Sequence, residues 1–413
     1  MSPIDRRDFL VHGASAAAAF ALTSELVAAA SLPQTKVPID VALIGCGRQG
    51  RAILGELAKI EGVKVVAVVD VLDSRLKSGQ RRVQGAEGYA TTAEMLDKAK
   101  SVAAVFVATP SHTHKDVALE CLAAGKHVYV ESPLATTIDD AKALVQAARK
   151  SGKVCVTGMY GRSNPIYGLA RSFFRSGALR DTVTMRAQYH KKNTWRTPGA
   201  NAEEEAALNW PLDPKVSLGL VGEYGTQQFD VFHWFLGAYP TAVRGFGSIQ
   251  LHKDGRTVHD TVLCELQFPG ERRLIYDASL ANSFDSQHEL ICGTMGSIKL
   301  AWTAGWMFKE ADSPTQGWEV YANRQQFHDE QGITLIADAT KLAAQGKLKE
   351  GVGLPNPPLY YPLADFLKSV TENTPVACSV DEGLRAAAVA ILANQAITTG
   401  QTVAIDEALL KSE

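Results

Sequence analysis

Cysteine is scarce in this chain and poorly placed for metal chemistry. Among 413 residues there are six: Cys46, Cys121, Cys155, Cys264, Cys292 and Cys378. None forms a Cys-x-x-Cys pair, and no histidine stands near them at ligand spacing, so no metal site is expected. Most lie in apolar runs and read as small core residues. An oxidising compartment would permit disulfides, but no spacing here demands one. Charge of one sign is also missing. Lys plus Arg number 42 against 44 Asp plus Glu, with no basic stripe, so nucleic acid is not an expected partner. No apolar stretch is long enough to span a bilayer, so stable membrane insertion is not expected either. What is present is the ordinary mixture of a soluble globular protein, 46% apolar and 21% charged, over a length that suits two domains.

The first thirty residues differ from the rest. Asp5-Arg6-Arg7-Asp8-Phe9-Leu10 precedes an alanine-rich apolar stretch, and small residues follow up to Ala30 and Ser31. A charged start, a short apolar middle and a small-residue cleavage site make a secretory signal. The paired arginines resemble the twin-arginine form. Residues 1–30 are therefore expected to be an export signal, cut after Ala30, with the mature protein periplasmic or otherwise exported.

From residue 37 the chain alternates apolar strands with helical stretches. Strands are expected at 37–46, 63–70, 102–109, 127–131 and 154–159. Strands that are apolar throughout, separated by helices, indicate a parallel sheet covered on both faces. The first runs into Gly45-Cys46-Gly47-Arg48-Gln49-Gly50, which opens a helix, and the second ends at Asp70. A GxGxxG motif alone is weak, but between strand and helix with an acid twenty residues on it is a dinucleotide fingerprint. Gly45 permits the tight turn, Gly47 lets backbone approach a pyrophosphate, and Gly50 lets helix and sheet pack closely. Arg48 and Gln49 open the helix whose free N–H groups would face the phosphates. Asp70 would accept from a ribose 2′-hydroxyl and repel a 2′-phosphate, which favours NAD over NADP; Arg48 and Arg75 pull the other way. Thr109, Pro110 and His114 follow another strand end, and Glu131 and Ser132 a further one. In an open parallel sheet ligands bind outside these ends, so all five are expected beside the cofactor.

The stretches ALIGCGRQG, VATPSHTHKDVALECLAAGKHVYVESPLA, GMYGRSNPIY, GEYGTQQFDVFHWFLG and ICGTMGSIKL together resemble the glucose–fructose oxidoreductase / inositol dehydrogenase family. The resemblance implies a Rossmann domain at 36–160 and an α+β domain at 161–380 whose open, mainly antiparallel sheet carries the substrate pocket and often a homo-oligomer interface. It also implies a helix and tail at 381–413 packing back on the first domain. Strand-like alternation at 182–190, 242–251, 260–268 and 273–281, without helices between, supports the antiparallel sheet independently. The overall class is α/β.

The chain departs from the family where protons are handled. The family's Glu-Lys-Pro is Glu131-Ser132-Pro133 here, and its pocket histidine is Gln227. Alcohol oxidation needs a group of suitable pKa to take the hydroxyl proton, and neither Ser nor Gln can be tuned to that. Glu223, Tyr224 and Gln227 form the candidate catalytic set. Glu223, Gln227 and Asp230 are expected on one helix face by their i, i+4, i+7 spacing. Burial can raise a carboxyl such as Glu223 into the working range. Tyr224 resembles a tyrosine of the NAD-dependent α-N-acetylgalactosaminidases, which work through a transient 3-keto sugar. Tyr160, Arg162, Asn164, His190, Trp195 and Asp230 are candidate contacts for a small carbohydrate. Arg162 and Asn164 are equally readable as a domain-linking turn, and Trp195 as a sugar platform or a subunit contact. His233 lies off the Glu223 face and reads as structural. No role is assigned to 329–358.

Beyond the cytoplasm there is no NAD pool, so an exported enzyme would hold its nucleotide and reset it within each cycle. Two chemistries fit: coupled oxidation and reduction of two sugars in turn, or transient oxidation inside a redox-neutral cleavage or isomerisation. A non-catalytic binding protein that has lost the family Lys and His is the rival from another class.

Overall fold

The computed structural model describes residues 38–316, 319, 322–337 and 354–412. The expected export signal at 1–30 lies outside the described residues, as does 338–353. The first sheet has six parallel strands in the order β3-β2-β1-β4-β5-β6. They are β1 (Ile39–Ile44), β2 (Val63–Val69), β3 (Glu87–Tyr89), β4 (Ala104–Val107), β5 (His127–Glu131) and β6 (Cys155–Gly158). β3 has three residues, too few to show a period in sequence. All carboxyl ends fall on one edge, and the loop after β1 lies between those after β2 and β4.

β4 is buried along its whole length, because helices cover both faces of the sheet. Leu144 and Val145 of the helix Ile138–Ser151 pack on one face. Ile53 and Leu57 of the helix Arg48–Leu57 pack on the other. There Phe106 and Tyr129 meet Phe366 from the helix Tyr360–Glu372. That helix falls within the 161–380 segment assigned to the second domain, yet its apolar stripe of Leu363, Phe366 and Leu367 belongs to the nucleotide domain's core.

The second sheet has ten strands in the order β14-β15-β13-β12-β11-β7-β10-β9-β8-β16. These are β7 (Thr182–His190), β8 (Ala242–Ser248), β9 (Thr261–Gln267), β10 (Arg273–Ser279), β11 (Gln287–Gly293), β12 (Gly296–Ala301), β13 (Ala304–Lys309), β14 (Arg324–Phe327), β15 (Glu330–Thr334) and β16 (Val403–Ala404). Neighbours are antiparallel except β7 and β10, which run parallel. The sheet is open, with one face carrying the core. In β7, Met185 and Ala187 point inward and Tyr189 continues that row, while Arg186, Gln188 and His190 take the other face. The closing helix Val380–Thr399 serves both domains. Val380, Leu384 and Ala387 pack with the nucleotide domain, and Ala388 to Ile397 fill the second sheet's core.

Candidate active site

The glycine loop is shaped as its sequence requires. Gly45 has φ +97°, and a Cβ there would stand 2.5 Å from the Ala108 carbonyl oxygen. A Cβ on Gly50 would stand 1.8 Å from the Gly45 carbonyl oxygen, so helix and turn can meet only through glycine. Gly47, by contrast, has no backbone crowding it: a Cβ there would meet the Arg75 guanidinium at 3.5 Å, an ordinary contact. The helix beginning at Arg48 has no side-chain cap and no acid in its first turn, leaving its N–H groups for an anion. Asp70 accepts from the N–H groups of Cys46 at 2.7 Å and Leu72 at 2.9 Å. Each oxygen keeps acceptor capacity for a ribose hydroxyl. Val71, next to it, is 81% exposed, an apolar surface suited to an adenine ring. These residues fit a bound NAD.

Glu131 ends β5 among donors. Its Oε1 accepts from Gln49 Nε2 and from Tyr160 Oη, each at 3.0 Å. Burial pushes its carboxyl up to about 7, against the pull of those bonds and of the Ser132 N–H. Gln49 Nε2 also donates to Tyr160 Oη at 2.5 Å. The two positions that depart from the family meet directly: Gln227 Nε2 donates to Ser132 Oγ at 2.7 Å. The same nitrogen donates to the Gly158 carbonyl at 2.6 Å, and Gln227 Oε1 accepts from the Tyr160 N–H at 2.9 Å. A backbone carbonyl and a backbone N–H thus fix which end of the amide is nitrogen. Ser132 Oγ must then accept from Gln227, which leaves its own O–H free to donate. Gln227, expected in the catalytic set, has its amide committed to this bracket.

Glu223 lies in a single π turn, Val221–Gly225, that precedes the α-helix Thr226–Leu236. The turn is wider than the α-helical one on which the expected i, i+4 spacing rested. Glu223 and Gln227 still reach the nucleotide domain, and Asp230 reaches the segment just beyond it. Glu223 Oε1 accepts from Ser111 Oγ at 2.9 Å, Gln227 reaches Ser132, and Asp230 reaches Arg162. Burial pushes the Glu223 carboxyl up to about 7, with the Ser111 bond opposing. Tyr224 stacks on Tyr189 with ring centroids 3.7 Å apart, and its oxygen accepts from Trp195 Nε1 at 3.0 Å.

Several expected sugar contacts have other partners. Arg162 grips buried Asp230 with two bonds of 2.8 and 2.7 Å and reaches the partly exposed Glu382 at 3.0 Å. Neither Arg162 nor Asp230 is free for substrate. Asn164 is buried; it caps the helix Pro165–Arg175 through Ile166 N–H and donates to the Trp302 carbonyl. His190 pairs with Asp277 on the other face of β7, because alternate strand residues point to opposite sides. Tyr189 is the β7 residue that faces the pocket helix. The alternation of Met185, Ala187 and Tyr189 could have shown this. His114, expected beside the cofactor, is buried, and burial lowers it to about 4. Its Nδ1 lies 2.8 Å from the Pro133 carbonyl and its Nε2 3.0 Å from the Thr109 carbonyl, and the neutral ring donates to one of the two. The Pro110 carbonyl and Thr109 hydroxyl are both held by Thr113 Oγ1 at 2.8 Å. Ser111 was missed, and nothing local marks a serine that meets a residue 112 positions away. Among the described residues no His, Cys, Asp and Glu group could hold a metal ion.

Comparison with known proteins agrees with this layout. The profile described as oxidoreductase family, NAD-binding Rossmann fold, matches residues 39–159. The profile of that family's C-terminal alpha/beta domain matches 185–405. The scyllo-inositol 2-dehydrogenase (NAD(+)) of Bacillus subtilis is 28% identical over 212 residues, 51% of this chain and 58% of that protein. Glycosyl hydrolase family 109 protein 2 of a Shewanella species is 27% identical over 259 residues, 54% of this chain and 56% of that one. The chain thus spans a little over half the length of these two curated relatives. Among solved structures, a levoglucosan dehydrogenase in complex with NADH and levoglucosan superposes with a TM-score of 0.71 at 20% identity, covering 89% of this chain and 99% of that one.

Proposed function

The chain belongs to the oxidoreductase family that joins an NAD-binding Rossmann domain to a C-terminal alpha/beta domain, and from that premise we propose that it is an NAD-dependent enzyme acting on a carbohydrate or polyol. The observation that carries the reading is the polarity of the Gln227–Ser132 bond, made from the same helical segment that carries Glu223. NAD, when bound, supplies the hydride acceptor. Ser132 donates its O–H to the reacting oxygen and fixes that oxygen's position. Glu223, about one helical turn before Gln227, takes the hydroxyl proton, its raised pKa matching the task. Tyr189, Tyr224 and Trp195 form an aromatic wall for the apolar face of a sugar ring. The named relatives act on an inositol and on glycosides, which supports this substrate class.

The finer reading is that the protein is exported by the twin-arginine route and keeps its nucleotide through each cycle. Residues 1–30 support the first part. The test is to purify the chain without added cofactor, denature it and identify what is released. About one NAD per chain is expected. Glycosides and aldoses should then be converted with no NAD supplied and no NADH accumulating. Stoichiometric NADH from added NAD would instead identify a plain dehydrogenase. An empty protein that binds NAD weakly would favour the non-catalytic rival. Redox-neutral glycoside cleavage is a second reading. The Tyr224 oxygen already accepts from Trp195, so its own O–H can be offered to a leaving group.

We also propose a homo-oligomer through the open sheet. Phe246 and Leu263 lie directly opposite each other on its uncovered face, and both are exposed. Leu263→Glu should shift the protein to a smaller species in sedimentation velocity. An unchanged sedimentation coefficient would place the interface elsewhere.

A further inference from the structure

We propose that the helix Ala202–Leu208 and the turn after it are a strap that closes over the dinucleotide. This rests on the reading that NAD lies along the loop Gly45–Gly50. The segment leaves the second domain after β7 and touches the nucleotide domain at two places. Glu204 Oε1 accepts from Ser74 Oγ at 3.2 Å, in the segment that follows β2. The Trp210 ring stands 5.8 Å from the His112 ring, in the loop after β4. Asp213 lies near enough to act on the charge of His112.

Strand order turns these two contacts into a position. β2 and β4 flank β1, and all three run parallel, so their loops lie side by side on one edge. A segment that touches the outer two must pass over the middle one, the glycine loop. The lengths agree. Two strand spacings amount to about 9.5 Å. Six residues from Glu204 to Trp210 at helical rise cover about 9 Å. The strap therefore bridges the cleft where the pyrophosphate would lie.

Its root is firm and its far side is light. Asn209 is buried and closes the loop on itself, accepting from the Thr197 N–H at 2.7 Å and donating to the Thr197 carbonyl at 2.8 Å. Arg196 and Arg256 both bind Asp254, which anchors the root to the second domain. Among the described residues, the strap meets the nucleotide domain through an exposed hydrogen bond, a ring contact and the charge of Asp213 near His112. Such a loop can lift as a unit about its root without unfolding. Nucleotide release would require that motion.

The test follows NADH leaving the full-length protein. Protein loaded with NADH is mixed with excess NAD, and the loss of bound NADH fluorescence is timed. Glu204→Ala with Trp210→Ala should speed release at least tenfold. Ser74→Cys with Glu204→Cys, joined by a short bifunctional thiol reagent after loading, should slow release at least tenfold relative to the unjoined pair. Five of the six native cysteines are buried and Cys292 is half-buried, so the new pair is the accessible target. Equal release from joined and unjoined protein would overturn the strap, even if the alanine variant proved poorly folded. A wild type that releases NADH quickly, yet is stopped by the bridge, keeps the strap and removes internal recycling. A wild type that holds NADH, with release unaltered in every variant, removes the strap and leaves the proposed function standing.

Discussion

Glu223→Gln is expected to lower turnover by roughly 10²–10⁴-fold, the range that a positioned general base contributes. Ser132→Ala is expected to lose about tenfold, since one hydrogen-bond donor is removed and the base remains. The pH profile separates the two. Burial sets Glu223 at about 7, so wild-type kcat/KM should fall as the solution is made more acid than that. Ser132→Ala should keep that limb, and Glu223→Gln should lose it. Misfolding is not an alternative cause of the larger loss. A carboxyl whose pKa is raised on folding stabilises the fold only while protonated, and that stability is lost as pH rises towards 7. Gln mimics the neutral form, so the variant should be no less stable than wild type above pH 7, as thermal unfolding at pH 8 would show. Equal, mild losses from both substitutions would remove Glu223 from its role.

The nucleotide half was legible because its chemistry is local. Gly45, Gly47, Gly50 and Asp70 act through backbone space and charge at fixed spacing, and the strands around them are continuous apolar runs. β7 was legible from residue 182 to 190. The later strands β11 to β15 were not, because half their positions face an uncovered side and polar residues dilute the pattern. The pocket was legible only in outline. Its helix could be placed, but the partners of its side chains come from distant loops. Asp230 reads as a sugar ligand until Arg162, 68 residues earlier, is seen gripping it. Gln227 reads as a lost histidine until the Gly158 carbonyl and Tyr160 N–H are seen holding it. The π turn at Val221–Gly225 has no sequence signature.

Arg162→Met is expected to cost about 3–5 kcal/mol of stability, the range for removing one partner of a buried ion pair. The guanidinium and the Asp230 carboxylate are 8% and 2% exposed, so the stranded acid cannot turn to water. Glu382 would fare better. Burial raises its pKa, but His233, Arg162 and Arg385 together outweigh that and hold it at about 2. Two of the three remain in the variant. Urea unfolding of Arg162→Met, Asp230→Leu and the double variant decides how tightly the pair is coupled. The double variant should recover much of the loss, because an apolar pair leaves no unpaired charge. Additive losses would show that the two residues act separately. The consequence reaches the pocket through the helix Thr226–Leu236. Asp230 lies three residues beyond Gln227, so the Arg162 grip also fixes the depth at which Gln227 meets Ser132. Arg162→Met should therefore weaken the Ser132 donor as well as the fold. At a temperature where the variant is still folded, its turnover should fall towards that of Ser132→Ala, with the acid limb set by Glu223 unchanged.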